Sequence, residues 1–235
     1  MLITKIEKSY RKGYFNVYVD DSLAFTLLND DLVKEKLKVG LTLSEEQRHL
    51  YVTKATSSYY FSRALNFLSF RLRTKAEVEK KLNMLLKEDI KLSSSEKEDL
   101  KAQLLQKLAA LRLIDDENFA KIYASTKLDA KKPIGKTRIK MELLKKGIPK
   151  PLIEKILEEE GNSSNQILED LVLVRLKAID SVKAEDLPKL RRRLCSFLLR
   201  RGFPPSQVFS VVDTIIKRKY NRADLDKIFL AKNND

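Results

Sequence analysis

Short runs of apolar and aromatic residues, separated by turn residues, mark the first thirty positions of the chain. Such runs predict β-strands, and three in succession predict an antiparallel meander. A sheet of three strands is too thin to be stable alone, so a further element must pack on it. We predict strands over residues 2–6, 14–19 and 23–27, a short helix over residues 30–37 that ends at Gly40, and a small α+β module over residues 1–56.

After residue 56 the apolar positions recur at the 3.6-residue spacing of helices, so the predicted class is mostly α. Capping boxes at Ser44–Gln47 and Thr74–Glu77 predict two helix starts, and Ser95 and Asp115 predict two more. Gly147 is a predicted helix end. The predicted inward-facing positions are Phe61, Ala64, Leu65, Leu68 and Leu72, then Val78, Leu82 and Leu85, then Leu100, Leu104, Leu108 and Leu111, and finally Phe119, Ala120 and Tyr123.

An internal repeat of 55 residues organises the helical part. This shift places Gly147 on Gly202 and Pro149 on Pro204, and it matches apolar with apolar and basic with basic positions. The repeated unit is one helix, a basic second helix closed by glycine (residues 134–146 in one copy), and a third helix that starts at proline. We predict three tandem three-helix repeats, over residues 57–112, 113–161 and 162–220, that stack into a curved array and precede a tail over residues 221–235.

The composition argues against several classes of function. The chain has one Cys, Cys195, and one His, His49, so it cannot supply the four soft or imidazole ligands of a zinc site. It has no glycine-rich phosphate loop, no apolar run of membrane-spanning length and no N-terminal segment of signal-peptide type. We therefore expect a cytoplasmic protein that is not an enzyme and has no metal, cofactor or catalytic residues.

The positive charge of the chain is concentrated in two segments. The net charge is +14, of which residues 121–150 contribute +8 and residues 187–222 contribute +9, so the other 169 residues carry −3. Lys and Arg spread over solvated helix faces would explain ordinary segments, but two such one-sided segments favour a polyphosphate or strongly acidic partner.

Four groups of residues form an ordered set of landmarks. They are Ala64, Leu68, Arg71, Thr74, Glu77, Val78 and Leu82; then Asp115–Ala120; then Gly135–Ile139 with Glu142, Leu143 and Lys146–Ile148; and finally Leu198–Phe203. In order and spacing this set resembles the RecX family, bacterial regulators of the RecA recombinase, over nearly the whole chain. One departure is Leu111–Ile114, where relatives usually have a glycine and an aromatic residue before the Asp pair.

The resemblance implies a protein that lies in the groove of a RecA–single-stranded-DNA filament and lowers ATP hydrolysis, strand exchange and co-protease activity. DNA repair, recombination and the SOS response are the processes concerned. The expected partners are RecA and the phosphates of single-stranded DNA, with no membrane, and the protein is expected to be a monomer. The residues predicted to contact the filament or its DNA are Lys131, Lys132, Lys136, Arg138, Lys140, Lys145, Lys146, Arg191, Arg192, Arg193, Arg200 and Arg201.

Two other functions are open from the residues alone. A helix–turn–helix with a basic second helix is also a DNA-binding device, so the chain could bind DNA or RNA without sequence preference and without RecA. The polar faces of the second helices are nearly all Lys and Arg, which suits contact with phosphates more than choice of bases. A helical scaffold without nucleic acid is the third possibility, and the concentrated charge argues against it.

Overall fold

The computed structural model describes residues 1–90, 92–160, 165–177 and 186–220. This part of the chain is mostly helical with one small sheet, so the predicted fold class is confirmed. The chain divides into two compact units, one from Met1 to Asp115 and the other from Asp116 onward. The predicted tail over residues 221–235 and the predicted end of the second repeat at residue 161 lie outside the described residues.

The N-terminal strands form the predicted meander. Strands β1 (Ile3–Lys8), β2 (Tyr14–Val19) and β3 (Ser22–Leu28) are antiparallel neighbours in that order. Asp20 and Asp21 connect β2 to β3 with φ values of 47° and 60°. Two consecutive left-handed residues match the right-handed twist of a hairpin, and Asp tolerates that conformation better than most residues.

The element that stabilises the sheet is the first half of a long helix. Helix α2 (Glu45–Leu68) contributes Tyr51 and Ala55 to the core of the sheet, and further along it contributes Tyr60 and Ala64 to the core of the next helices. The predicted boundary between residues 56 and 57 therefore falls inside one continuous helix. The short helix α1 (Asn29–Lys34) ends earlier than predicted, because Lys36 adopts a left-handed φ of 52° before Gly40 is reached.

Helices α3 (Lys75–Lys87) and α4 (Ser94–Ala110) complete the first three-helix group with the second half of α2. Thr74 is fully buried and forms the predicted capping box with Glu77. The start predicted at Ser95 is wrong, since Ser93 is the cap and its capping-box partner is Glu96. Leu65, Leu72 and Leu111 were predicted to face inward and are instead exposed, while Val78, Leu82, Leu100, Leu104 and Leu108 are buried.

The second unit contains two further groups of three helices, each around its own core. Ile139, Leu143 and Ile153 lie at the centre of the second group of the chain, and Leu194, Leu198 and Val212 lie at the centre of the third. The basic middle helix of the second group starts two residues later than predicted. The helices are α5 (Asp116–Leu128), α6 (Lys136–Lys145) and α7 (Lys150–Glu159), then α8 (Asn165–Lys177), α9 (Leu187–Arg200) and α10 (Pro205–Lys219).

The start of α6 is joined directly to the end of α9. The backbone N–H of Gly135 donates to Arg201 O at 2.8 Å, and that of Thr137 donates to Gly202 O at 3.3 Å. A Cβ on Gly135 would lie 2.0 Å from Gly202 O, so a side chain at Gly135 is excluded by contact. Gly202 also has a φ of +85°, as expected of a glycine helix end. The free N–H groups of one helix thus meet the free carbonyls of another.

Candidate nucleic-acid interface

Three of the predicted cations of α6, Lys136, Arg138 and Lys140, are engaged within the protein. Lys136 Nζ donates to Leu157 O, and Lys140 Nζ lies 2.5 Å from Glu154 Oε1 on α7. The pKa of Glu154 is lowered because it accepts this hydrogen bond. These two cations already have anionic or carbonyl partners, so a phosphate would have to compete for them.

Arg138 is engaged in the same way. Its Nε donates to Glu142 Oε1 at 3.1 Å, and Glu142 also accepts from the Tyr123 hydroxyl at 2.7 Å. The Tyr123 hydrogen bond is the main cause of the lowered pKa of Glu142, and Arg138 adds to it. Burial and the same hydrogen bond raise the pKa of Tyr123 to about 12, so that the hydroxyl remains a donor at neutral pH.

Of the three consecutive arginines in α9, Arg191 is held within the fold. Its guanidinium forms a two-pronged pair with Asp213 on α10, with N···O distances of 2.6 and 3.0 Å. The Arg191 side chain is 18% exposed, and its guanidinium also lies over the Phe209 ring. The Asp213 hydrogen bond raises the pKa of Arg191. This arginine fixes α9 against α10 rather than presenting its charge to solvent.

Arg192, Arg193 and Arg200 have a different environment from Arg191. All three are exposed, and among the residues that the structure describes no carboxylate lies within ion-pair distance of them. They line one cavity of about 340 Å³ together with Arg175 of α8 and Phe197 of α9. Four guanidinium groups around one cavity form a strong site for phosphate or carboxylate.

A second cavity, of about 460 Å³, adjoins the first through Arg175 and Phe197, which line both. We call the two together the α8–α9 groove. The second cavity adds Lys131 and Lys132 from the α5–α6 connection, both exposed, and Arg201 at the end of α9. Its remaining lining residues are Ala130, Pro133, Ile167, Asp170, Leu171 and Val174. The groove therefore brings together cations from both basic segments.

Arg201 lines the larger cavity of the groove and lies close enough to Arg138 for the two positive charges to repel each other. Its Nη1 donates to Pro133 O at 2.9 Å, and its guanidinium lies 4.8 Å from the Phe197 ring centre. Burial lowers the pKa of Arg201, and repulsion from Arg138 lowers it further. An anion bound in the groove would relieve that repulsion.

The two remaining predicted cations lie outside the groove, Lys145 as the last residue of α6 and Lys146 directly after it. Lys145 is exposed, whereas Lys146 is half-buried with its ammonium over the rings of Phe119 and Tyr123. Sequence reasoning missed Arg175, because it lies on α8 outside both basic segments. It also missed Phe197, a partly buried aromatic residue of α9 that the sequence did not single out.

The part of the chain that the structure describes contains no group of three or more His, Cys, Asp and Glu side chains placed to hold a metal ion. Within the same residues, no helix has the length and apolar character required to span a bilayer.

Comparison with known proteins gives matches over most of the chain. Residues 115–157 match a family model described as the second three-helix domain of RecX, and residues 165–212 match the third. The regulatory protein RecX of Finegoldia magna is 30% identical over 203 residues, covering 86% of this chain and 94% of that protein. The regulatory protein RecX of Clostridium acetobutylicum is 27% identical over 217 residues, covering 91% and 95%.

Two crystal structures are similar to this chain. A structure of a regulatory protein RecX has a TM-score of 0.66 at 26% identity and covers 91% of this chain and 98% of its own. The structure of RecX from Lactobacillus salivarius has a TM-score of 0.51 at 29% identity and covers 69% and 95%. The similarity therefore extends from the N-terminal module through the helical groups.

Proposed function

This chain belongs to the RecX family, and from that membership we propose that it regulates the RecA recombinase by binding in the groove of the RecA–single-stranded-DNA filament. Bound there, it lowers the recombinase's ATP hydrolysis, strand exchange and co-protease activity. It acts as a monomer in the cytoplasm, in DNA repair, recombination and the SOS response. Its partners are RecA and the phosphates of single-stranded DNA.

The α8–α9 groove is the observation on this chain that carries the proposal. Arg175, Arg192, Arg193 and Arg200 are exposed, with no carboxylate partner among the described residues. Unpaired guanidinium groups attract phosphate and acidic protein surface at long range and then bind either by two parallel hydrogen bonds. A nucleoprotein filament presents both kinds of anion, so this groove supplies the main part of the docking charge.

The proposal assigns different roles to the two basic helices. Arg192, Arg193 and Arg200 of α9 contact the filament, together with Lys131, Lys132 and Lys145. Lys136, Arg138 and Lys140 act mainly within the fold, because Leu157 O, Glu142 and Glu154 already bind them. Arg191 and Arg201 position α9 through Asp213 and Pro133 O.

A titration of the DNA-dependent ATPase of RecA from the same organism tests the proposal. Substoichiometric protein should lower the hydrolysis rate, because a body that lies along the groove contacts several protomers at once. The variant with Arg192, Arg193 and Arg200 changed to Gln should need more protein for the same inhibition. A matched control is the change of Lys8, Lys12 and Lys38 to Gln, which removes the same charge from exposed positions of the first unit. An unchanged rate at equimolar protein would contradict the proposal.

A second function is supported by the same groove. A protein that binds single strands through phosphates alone would need no recombinase. Comparison of binding to RecA filaments and to bare single-stranded DNA of equal length separates the two functions. Tighter binding to the filament supports the regulator, and equal binding supports the general nucleic-acid-binding protein.

A further inference from the structure

The α8–α9 groove combines a cationic rim with an apolar floor. The rim consists of the arginines and lysines that line the two cavities, and the floor consists of Ile167, Leu171, Val174 and Phe197. Val174 is the most open part of the floor, with 68% of its surface exposed although it points from a helix into a cavity. A site for inorganic anions alone would not need this apolar surface. The floor therefore indicates a ligand that has an apolar part next to its anionic groups.

The two cavities of the groove differ in their charge. Among the residues that the structure describes, the smaller one is lined by Arg175, Arg192, Arg193 and Arg200 and by no carboxylate. The larger one contains Asp170, whose Oδ1 accepts a hydrogen bond from Gln166 at 3.2 Å. Asp170 lies beside the apolar floor of the larger cavity, where its carboxylate can accept a hydrogen bond from a base N–H, while Lys131, Lys132 and Arg201 line the same cavity. Among the described lining residues, the smaller cavity thus offers only cations to a phosphate, whereas the larger one also offers a base an apolar floor and a carboxylate acceptor.

We propose that the groove binds a single-stranded nucleic-acid segment with one base in the larger cavity and the adjoining phosphates in the smaller. The base lies against Val174 and Phe197, and the phosphates pair with Arg175, Arg192 and Arg193. Duplex DNA fits this arrangement poorly, because its bases are stacked inside the helix and their faces are not accessible to a side chain. This inference rests on the proposed function in assigning nucleic acid to the groove, and it adds that a base is bound.

The aromatic ring of the floor suits this role. The guanidinium groups of Arg175 and Arg201 lie 5.7 and 4.8 Å from the centre of the Phe197 ring. Guanidinium planes stack on flat rings and also pair with phosphate. Arg175 lines both cavities, so it can contact the base and the next phosphate of the same strand. A base bound on this surface extends the stack formed by the Phe197 ring and the guanidinium groups of Arg175 and Arg201.

The experiment uses the full chain and a fluorescent oligothymidylate, without recombinase, and compares it with an abasic oligonucleotide of equal length and charge. Stacking of one base is worth about 5- to 150-fold in affinity, so the abasic strand should bind more weakly by a factor in that range. Replacing Val174 by Tyr enlarges the stacking surface at an exposed position. It should tighten oligothymidylate binding by about 5-fold or more and leave the abasic strand unchanged.

The matched control is Val33→Tyr, because Val33 is also an exposed helix valine, at 66%, and lies in the first unit. Val33→Tyr should change neither the affinity for oligothymidylate nor the affinity for the abasic strand. Equal binding of the base-containing and abasic strands by the parent overturns the proposal, and so does tighter binding of duplex than of single strand. An acidic peptide of alternating Glu and Phe that binds more tightly than oligothymidylate of the same charge also overturns it, and identifies a protein ligand. These binding measurements contain no recombinase, so they test base binding separately from the filament ATPase assay, which tests the regulation of RecA.

Discussion

Changing Arg192, Arg193 and Arg200 to Gln should flatten the salt dependence of binding to single-stranded DNA. Glutamine keeps most of each side chain and removes the charge. The three arginines are exposed and have no carboxylate partner among the described residues, so their charges are available to phosphates. The change leaves the α9 core unaltered, since Leu190, Leu194 and Leu198 form that face of the helix.

The expected magnitude follows from counterion release. Each phosphate neutralised on a single strand contributes about 0.7 to the slope of log affinity against log salt concentration, so three contacts contribute about 2. Between about 50 and about 200 mM salt, a slope of about 2 corresponds to roughly a 20-fold change in Kd. The variant should therefore lose about this much of the parent's sensitivity to salt.

The corresponding change in α6 is the internal comparison. Lys136, Arg138 and Lys140 carry the same total charge, but each already has a partner in Leu157 O, Glu142 or Glu154. Changing them to Gln should alter the slope by clearly less than the α9 variant does. The assay is fluorescence anisotropy of a labelled oligothymidylate at several salt concentrations, with Lys8, Lys12 and Lys38 changed to Gln as the control for total charge.

Two outcomes would refute this reasoning. If the α6 variant flattens the slope as much as the α9 variant, the intramolecular ion pairs do not limit access to phosphates. If the control in the first unit flattens it equally, net charge alone governs binding and the α8–α9 groove has no special part. Thermal melting of each variant, followed by circular dichroism, checks that a weaker salt dependence of binding is not caused by unfolding of the variant.

Three further predictions concern stability. Gly202→Ala should lower the free energy of unfolding by about 1–3 kcal/mol more than Gly40→Ala does. Both glycines have φ near +85°, but only at Gly202 would an added Cβ contact backbone, at 2.5 Å from Arg138 N. Equal losses of stability in denaturant titrations of the two variants would contradict this contact. Arg112→Gly should raise the free energy of unfolding by about 0.5–1 kcal/mol, since Arg112 has a left-handed φ of 54°, and an unchanged melting temperature would oppose this. Because the pKa of Glu142 is lowered in the folded protein, ionised Glu142 stabilises the fold at pH values above the ordinary carboxyl pKa. The parent should therefore exceed Glu142→Gln in free energy of unfolding by the full amount at neutral pH, and by less as the pH falls below about 4.3. A difference in free energy of unfolding that stays constant down to acid pH would count against this prediction.

Local signals in the sequence predicted the elements well. The β-meander, the capping boxes at Ser44 and Thr74 and the glycine ends at Gly147 and Gly202 depend on residues a few positions apart, so a single sequence contains them. The start of α4 shows the limit of such signals. Ser93 and Ser95 each precede a Glu by three residues, and only the position of the helix on its core selects Ser93.

Contacts between distant residues could not be predicted. The continuity of α2 was missed because its buried face changes partner, from the sheet at Tyr51 to α3 and α4 at Tyr60. In the candidate site, the positive charge of α6 was visible in the sequence, but its neutralisation by Glu154 on α7 was not. Arg175 was missed for the same reason, because only the packing of α8 on α9 brings it to the groove.

The backbone contact between Gly135 and Gly202 also restricts how this repeat protein can change its length. In many repeat proteins each unit touches its neighbours through side chains, so units can be gained or lost with small adjustments. Here the second group reaches forward to the third through main-chain hydrogen bonds that require a residue without a side chain on both sides. A duplicated or transplanted group would need both glycines at the new junction before its helices could meet. The number of groups in the second unit is consequently resistant to duplication and deletion, and a chimaera that exchanges the third group should retain Gly135 and Gly202 as a pair.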